Sequence, residues 1–192
     1  MTTEISRPAE VLMERRQPFI SRVRLRNYKS IGSCDVNLGP LTILIGPNGS
    51  GKGNFLDALA FLSRAVETTP NQAITERGGI EAVIRKVPPS ADSFEIQVEV
   101  SLPQGEDWTR GTYGFKVKHN TRDGTFDVYD ETCELATQPE TLRFEVREGV
   151  AHDYLGKRLR PLLPKIEPNR LYLQSAAVIT RDYGTLANSG SG

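Results

Sequence analysis

The 192-residue chain balances 24 Lys and Arg against 24 Asp and Glu, with 38% hydrophobic and 25% charged residues. That length suits one body with a real core, the composition excludes a disordered or collagen-like chain, and zero net charge gives no support to a wholesale nucleic-acid binder. With no run of eighteen apolar residues and no apolar leader in the mixed-charge N-terminus, neither a membrane span nor secretion is expected. Cys34 and Cys133 are far apart and lack partners at metal-ligand spacing, so they read as reduced thiols of a cytoplasmic protein. Charge is unevenly spread: residues 1–30 carry seven Arg/Lys against three Glu, whereas residues 90–150 carry thirteen Asp/Glu against six Arg/Lys. The basic end suits phosphate-like partners better than the acidic middle does, although a solvated face looks the same.

Residues 1–18, with Pro8 and Pro18, read as an arm without periodicity. Over residues 20–28, Val23 and Leu25 alternate with Arg22, Arg24 and Arg26, which predicts a strand with one charged face. A second strand is expected over 33–38, where Cys34, Val36 and Leu38 alternate with polar residues up to Gly39-Pro40. Residues 41–45 are almost wholly apolar and β-branched, the signature of a strand covered on both sides in the middle of a sheet. A glycine-rich stretch follows, and then Phe55, Leu56, Leu59, Leu62 and Val66 recur at helical spacing, predicting a helix to about Thr68. Residues 71–90 are mixed, with a short helix near 80–86. Beyond them Phe94, Ile96, Val98, Val100 and Leu102 give the cleanest period-two run in the chain. Further strands over 112–118, 125–135 and 141–147, joined by short links, predict an antiparallel meander over 92–152 inserted after the first helix. Residues 171–173 read as a short buried strand ending at Gln174, and residues 188–192 have linker composition.

Strand, glycine loop and helix frame the segment Gly46-Pro47-Asn48-Gly49-Ser50-Gly51-Lys52-Gly53. It matches the phosphate-binding pattern G-x-x-x-x-G-K, with Gly53 where a Ser or Thr normally follows. The glycines let backbone N–H groups turn inward, the helix aims its positive end at the same point, and Lys52 adds an ammonium for the β- and γ-phosphates. A bare tight turn would not need all of these together. The missing hydroxyl at Gly53 would normally help hold Mg²⁺, so metal capture and turnover should suffer more than nucleotide binding. Asn54, one position on and about 100° around the helix, does not replace it.

The run from Phe19 through Asn27-Tyr28-Lys29-Ser30-Ile31, followed by Leu41 to Lys52 and by Asn54-Phe55-Leu56-Asp57-Ala58-Leu59, resembles the opening of bacterial AAA-family ATPases of the RecF, SMC and OLD type. The resemblance is specific over residues 19–62 and loose from there to about 175. It implies an α/β fold: a P-loop NTPase with an ABC-type ATPase lobe and an antiparallel β-subdomain inserted after the P-loop helix. The implied organisation is an arm (1–18), a partial head (19–187) with its β-subdomain (92–152), and a Gly/Ser tail (188–192). The resemblance implies ATP as ligand, held by residues 46–54, with Lys29 near the nucleotide and Gln174 as the Q-loop residue touching Mg²⁺ and the attacking water. A solvated turn lysine and a polar strand end are the competing readings of those last two.

The family also needs a Leu-Ser-Gly-Gly signature, a Walker B strand ending Asp-Glu and a switch histidine, and the chain offers none. Phe126-Asp127-Val128-Tyr129-Asp130-Glu131 imitates a Walker B end, but Asp127 interrupts the apolar run, so it reads as an ordinary exposed strand. His119 and His152 read as surface residues, and Trp108 as a cover for the meander. The chain therefore reads as the N-terminal half of an ATPase head, hydrolysing poorly unless the C-terminal half, a second subunit or a second copy completes it. DNA maintenance or phage defence follows by fold-level analogy, with DNA as a partner through Arg22, Arg24 and Arg26. A catalytically silent nucleotide-binding module is the rival reading. A GTP-binding protein is disfavoured because no Asn-Lys-x-Asp segment occurs.

Overall fold

The computed structural model describes residues 19–87, 90–104, 107–136, 142–148, 150–155, 158–159 and 170–174. The arm and the Gly/Ser tail expected from sequence lie outside them. Strands β1 (Phe19–Tyr28) and β2 (Ile31–Asn37) form the opening hairpin. Helices α1 (Lys52–Glu67), α2 (Pro70–Thr75) and α3 (Ile80–Val83) follow. The meander consists of β3 (Ser93–Gln104), β4 (Asp107–His119), β5 (Phe126–Leu135), β6 (Leu142–Arg147), β7 (Val150–Leu155) and the two-residue β8 (Arg158–Leu159).

All these strands pair antiparallel in the order β2-β1-β3-β4-β5-β6-β7-β8. The meander is therefore not a separate insertion: β1 pairs with β3 through Val23↔Val98 and Leu25↔Ile96, so the opening hairpin and the meander are one sheet. The physical reason lies in the alternation. Val23 and Leu25 on β1, Phe94, Ile96 and Val98 on β3, Phe115 and Val117 on β4, and Phe144 and Val146 on β6 all point to one buried face. A strand with that pattern gains by pairing with others that share it.

Helix α1 covers this face with Phe55, Ala58, Phe61, Leu62 and Ala65. Phe61 is the hub. Its ring meets Phe94 at 5.4 Å, Tyr28 at 5.9 Å and Phe115 at 6.3 Å, and the Arg77 guanidinium lies 5.1 Å from its centroid. Pro70, which reads as a helix stop, also starts the next helix. It opens α2, whose N-cap Thr69 accepts a bond from the Gln72 N–H at 3.1 Å.

Two expectations fail. Residues 41–45 are not a buried central strand: they join no ladder among the described residues, and Leu41, Ile43 and Ile45 are 81%, 71% and 90% exposed. Only Leu44 leans on the core. The run is apolar on both faces because it suits a strand with neighbours on each side, and the antiparallel sheet closes on β2 instead. Residues 172–174 are helical rather than extended, because Glu131 takes up two of their N–H groups. No helix among the described residues is long and apolar enough to cross a membrane.

Candidate functional site

The loop of residues 46–53 sits where the opening hairpin meets the start of α1. Gly49 and Gly51 have φ of 80° and 92°, a region that glycine enters without strain, so the loop curls and Gly51 serves as N-cap of α1 with no side-chain bond. The first N–H groups of a sixteen-residue helix thus face the loop, giving partial positive charge. Residues 48–54 line an open hollow of about 350 Å³ there.

Lys52 folds back into this loop. Its Nζ donates to the carbonyls of Gly46 at 2.7 Å and Pro47 at 2.8 Å, and to Ser50 Oγ at 3.2 Å. These three acceptors use all the donors of the ammonium, and an incoming phosphate would have to take over at least one of them. A Cβ on Gly46 would lie 3.0 Å from Ser50 Oγ, so the cradle is closely built at that point. Residues 46–52 fit an oxyanion.

The metal part of the expectation fits less well. Position 53 carries no oxygen. Among the described residues, no three His, Cys, Asp or Glu side chains gather into a cluster. Nothing lies within 4 Å of a Cβ built on Gly53, so a serine would be accommodated.

The hairpin turn fixes the loop from the side. Asn54 Nδ2 donates to Ser30 Oγ at 2.6 Å, which gives Asn54 an anchoring part. Lys29 has a left-handed φ of 49°, and its Nζ pairs with Asp57 Oδ2 at 2.6 Å. Tyr28 Oη donates to the same oxygen at 2.6 Å, and Arg77 Nε pairs with Oδ1 at 3.1 Å. Burial alone would raise the Asp57 pKa, but the bonds from Lys29 and Tyr28 and the charge of Arg77 outweigh it and hold the carboxyl below its ordinary range. Lys29 is thus placed one turn along α1, with its charge shared with a carboxylate. Asp57 lies in the segment that carries the family resemblance but takes no role from sequence, Arg77 carries no motif of its own, and the fold brings them together.

Gln174 is not brought to the loop. Its Nε2 donates to the carbonyls of Val66, at 2.9 Å, and Thr68 at the far end of α1. Sixteen residues of helix separate the two places, about 24 Å at 1.5 Å per residue.

The decoy segment lies on β5 as expected, but it is not uniformly exposed. Asp127 is exposed, whereas Glu131 is 1% exposed and accepts from Tyr172 N–H at 2.5 Å, Leu173 N–H at 3.0 Å and Tyr113 Oη at 3.0 Å. Desolvation pushes its pKa up to about 7 against the pull of those bonds. His119 is also less open than expected: its side chain is 9% exposed and lies 3.7 Å from Glu81. The His152 side chain is outside the described residues. Trp108 does cover one end of the sheet, edge-on to Phe19 at 6.2 Å. Cys34 and Cys133 are free.

On the outer face of the sheet, Arg22 meets Asp35 at 2.7 Å and Glu99 at 3.3 Å. Arg24 meets Glu99 at 2.9 Å and Asp35 at 3.4 Å. The basic strand is therefore interleaved with carboxylates from both neighbours.

Comparison with known proteins agrees with the loop geometry. The chain is 40% identical over 63 residues to the DNA replication and repair protein RecF of Corynebacterium jeikeium, covering 31% of this chain and 15% of that protein. It is 33% identical over 91 residues to the RecF of Porphyromonas gingivalis, covering 46% and 25%. The OLD nuclease of Thermus scotoductus is 40% identical over 41 residues, covering 21% and 8%. The matched stretches thus span a quarter or less of these relatives. Residues 19–129, more than half of the chain, match the family model described as AAA ATPase domain, a family that implies nucleotide binding. With its glycine loop, lysine and following helix inside that stretch, the chain belongs to the AAA ATPase domain family.

Proposed function

We propose that this chain is the ATP-binding P-loop portion of an ABC-type ATPase head of the SMC, RecF and OLD kind. In this reading it hydrolyses ATP only when a partner or a further part of the head completes it. The observation that carries the reading is the curled loop of residues 46–52, with Lys52 Nζ within 2.8 Å of two loop carbonyls at the start of α1. The loop amides and Lys52 take the β- and γ-phosphates, and Ser30 and Asn54 hold the loop against the hairpin. Mg²⁺, where bound, would take no ligand from position 53, since Gly53 carries no side-chain oxygen. The relatives named for DNA replication and repair, and for a nuclease, support a setting in DNA maintenance or defence in the cytoplasm.

The absent hydroxyl at Gly53 favours a second reading, a nucleotide-binding module whose occupancy shapes a docking surface without turnover. Calorimetric titration of the full chain with ATP, with and without Mg²⁺, tests the first. Binding is expected in both conditions, weakened roughly tenfold or more in Lys52→Ala, which loses a charge-assisted contact. Equal affinity in the two chains would sink it. Hydrolysis that depends on Lys52 separates the enzyme from the module.

A further inference from the structure

Helix α1 ends without a device of its own. Its C-cap is Thr68, with φ of −121° and ψ of −97°, and no glycine follows to turn the chain back and satisfy the last carbonyls. Thr68 N–H and Oγ1 both return to the Arg64 carbonyl, at 3.0 and 2.7 Å, which leaves the carbonyls of the final turn to find donors elsewhere. They find one amide, Gln174 Nε2, on the Ala65, Val66 and Thr68 carbonyls, from 106 to 109 residues away along the chain.

The segment that carries Gln174 is itself seated firmly. Leu171 and Tyr172 are 0% and 1% exposed, and the Tyr172 ring stands edge-on to Phe144 at 4.8 Å. Glu131 on β5 holds the N–H groups of Tyr172 and Leu173 and is itself oriented by the Tyr113 hydroxyl on β4. Sheet, late segment and helix end are thus joined by one continuous set of hydrogen bonds. The other end of the same rod is the phosphate loop.

We propose that Glu131 and Gln174 form a clamp that fastens the late segment to the C-terminal end of α1, and that Gln174 is a positioning residue for the phosphate loop at the opposite end. This rests on the reading of residues 46–53 as a nucleotide cradle. A sixteen-residue helix is stiff along its axis, and α1 is held as one body by Phe55, Ala58, Phe61, Leu62 and Ala65 on the sheet, by Asn54–Ser30 and by the Asp57 group. A tilt of the rod at its C-terminal turn about the Phe61 contact is carried to the N-terminal amides. Nucleotide at the loop and the seating of Gln174 on α1 then bias each other.

Gln174 is partly exposed, so changes there spare the core. Gln174→Glu places a negative charge against carbonyls at the negative end of the helix, whereas Gln174→Lys keeps a donor there and adds the favoured sign. Two measurements on the full chain test the clamp: amide hydrogen exchange without nucleotide and calorimetric titration with ATP. Gln174→Glu is expected to quicken exchange about fivefold in residues 62–68 and measurably in 51–55, and to weaken ATP binding about threefold. Gln174→Lys should match the unaltered chain in both. Unchanged exchange in Gln174→Glu, quickening confined to residues 171–174, or equal quickening in the Lys and Glu variants overturns the proposal. Failure of the unaltered chain to bind ATP sinks the nucleotide reading instead, and the exchange pattern alone then decides whether the clamp positions the loop.

Discussion

In the proposed reading, Gly53 is where one missing oxygen separates binding from metal-assisted chemistry. A Cβ there meets nothing within 4 Å, and the residue lies inside α1, so serine removes a helix-weakening glycine and adds a hydroxyl beside the cradle. Gly53→Ser is expected to stabilise the chain by about 0.5 kcal/mol and to make ATP affinity rise on adding Mg²⁺, while leaving metal-free affinity unchanged. Thermal unfolding and paired titrations check both, and a serine variant indifferent to Mg²⁺ would show that the hydroxyl is not the missing element. Glu131 poses a different question, a carboxyl with a folded pKa of about 7 against an ordinary 4.5. Because the folded state holds this proton more tightly, stability falls as pH rises from about 4.5 to about 7 and is flat above, on the order of 3 kcal/mol in all. Glu131→Gln, which does not titrate but keeps one acceptor oxygen for the three donors, should erase that fall; its urea midpoint should stay level from pH 5 to pH 8 while that of the unaltered chain declines. A parallel decline in both chains would mean that another group titrates. At this scale the cradle was legible, because glycine, lysine and helix start carry local rules. Asp57, Arg77 and Glu131 were not, since their roles come from partners 18 to 42 residues away.

Period-two alternation found β1 to β6 because one buried face forces every second residue to be apolar. It could not tell that β1 would pair with β3, since Val23 and Leu25 look the same whether the sheet ends at the hairpin or runs on. The 41–45 run failed for the converse reason: its composition records neighbours on both sides that the described residues do not supply. The 171–173 run reads as a strand because three apolar residues are too short to show a period, and the Glu131 carboxylate decides the outcome. Between sheet and helix the decisive element is the aromatic layer around Phe61, fully buried against rings from β1, β3 and β4. Phe61→Ala is expected to cost about 3 to 5 kcal/mol, a large part of the stability of an ordinary domain, read as a lowered urea midpoint with loss of near-ultraviolet circular dichroism. A cost below about 1 kcal/mol would place the core elsewhere.

For the molecule as a whole, the unusual feature is an apolar surface that its own described residues leave open. Leu41, Ile43 and Ile45 are 81%, 71% and 90% exposed, and Leu56, Phe19 and Trp108 are 58%, 43% and 46% exposed. Beside them lies a hollow of about 640 Å³ lined by residues including Ile20, Leu38, Leu44 and Leu59. Isolated exposed leucines are ordinary; an apolar patch built on a five-residue β-prone run with no ladder partner among the described residues suits a covering partner. Charge does not explain it away, because the chain has no net charge to keep copies apart. The expected consequence is self-association that grows with concentration, driven by this patch and little affected by salt, since apolar contact rather than ion pairing sustains it. Ile43→Lys puts a charge at the centre of the patch at a site 71% exposed, where no core contact is lost. Sedimentation velocity should therefore show the unaltered chain shifting to larger species across a tenfold concentration series, while Ile43→Lys stays monomeric with an unchanged far-ultraviolet spectrum. A concentration-independent monomer in the unaltered chain would mean that the patch is covered from within, and the idea that a further part of the head or another subunit belongs there would lose its support.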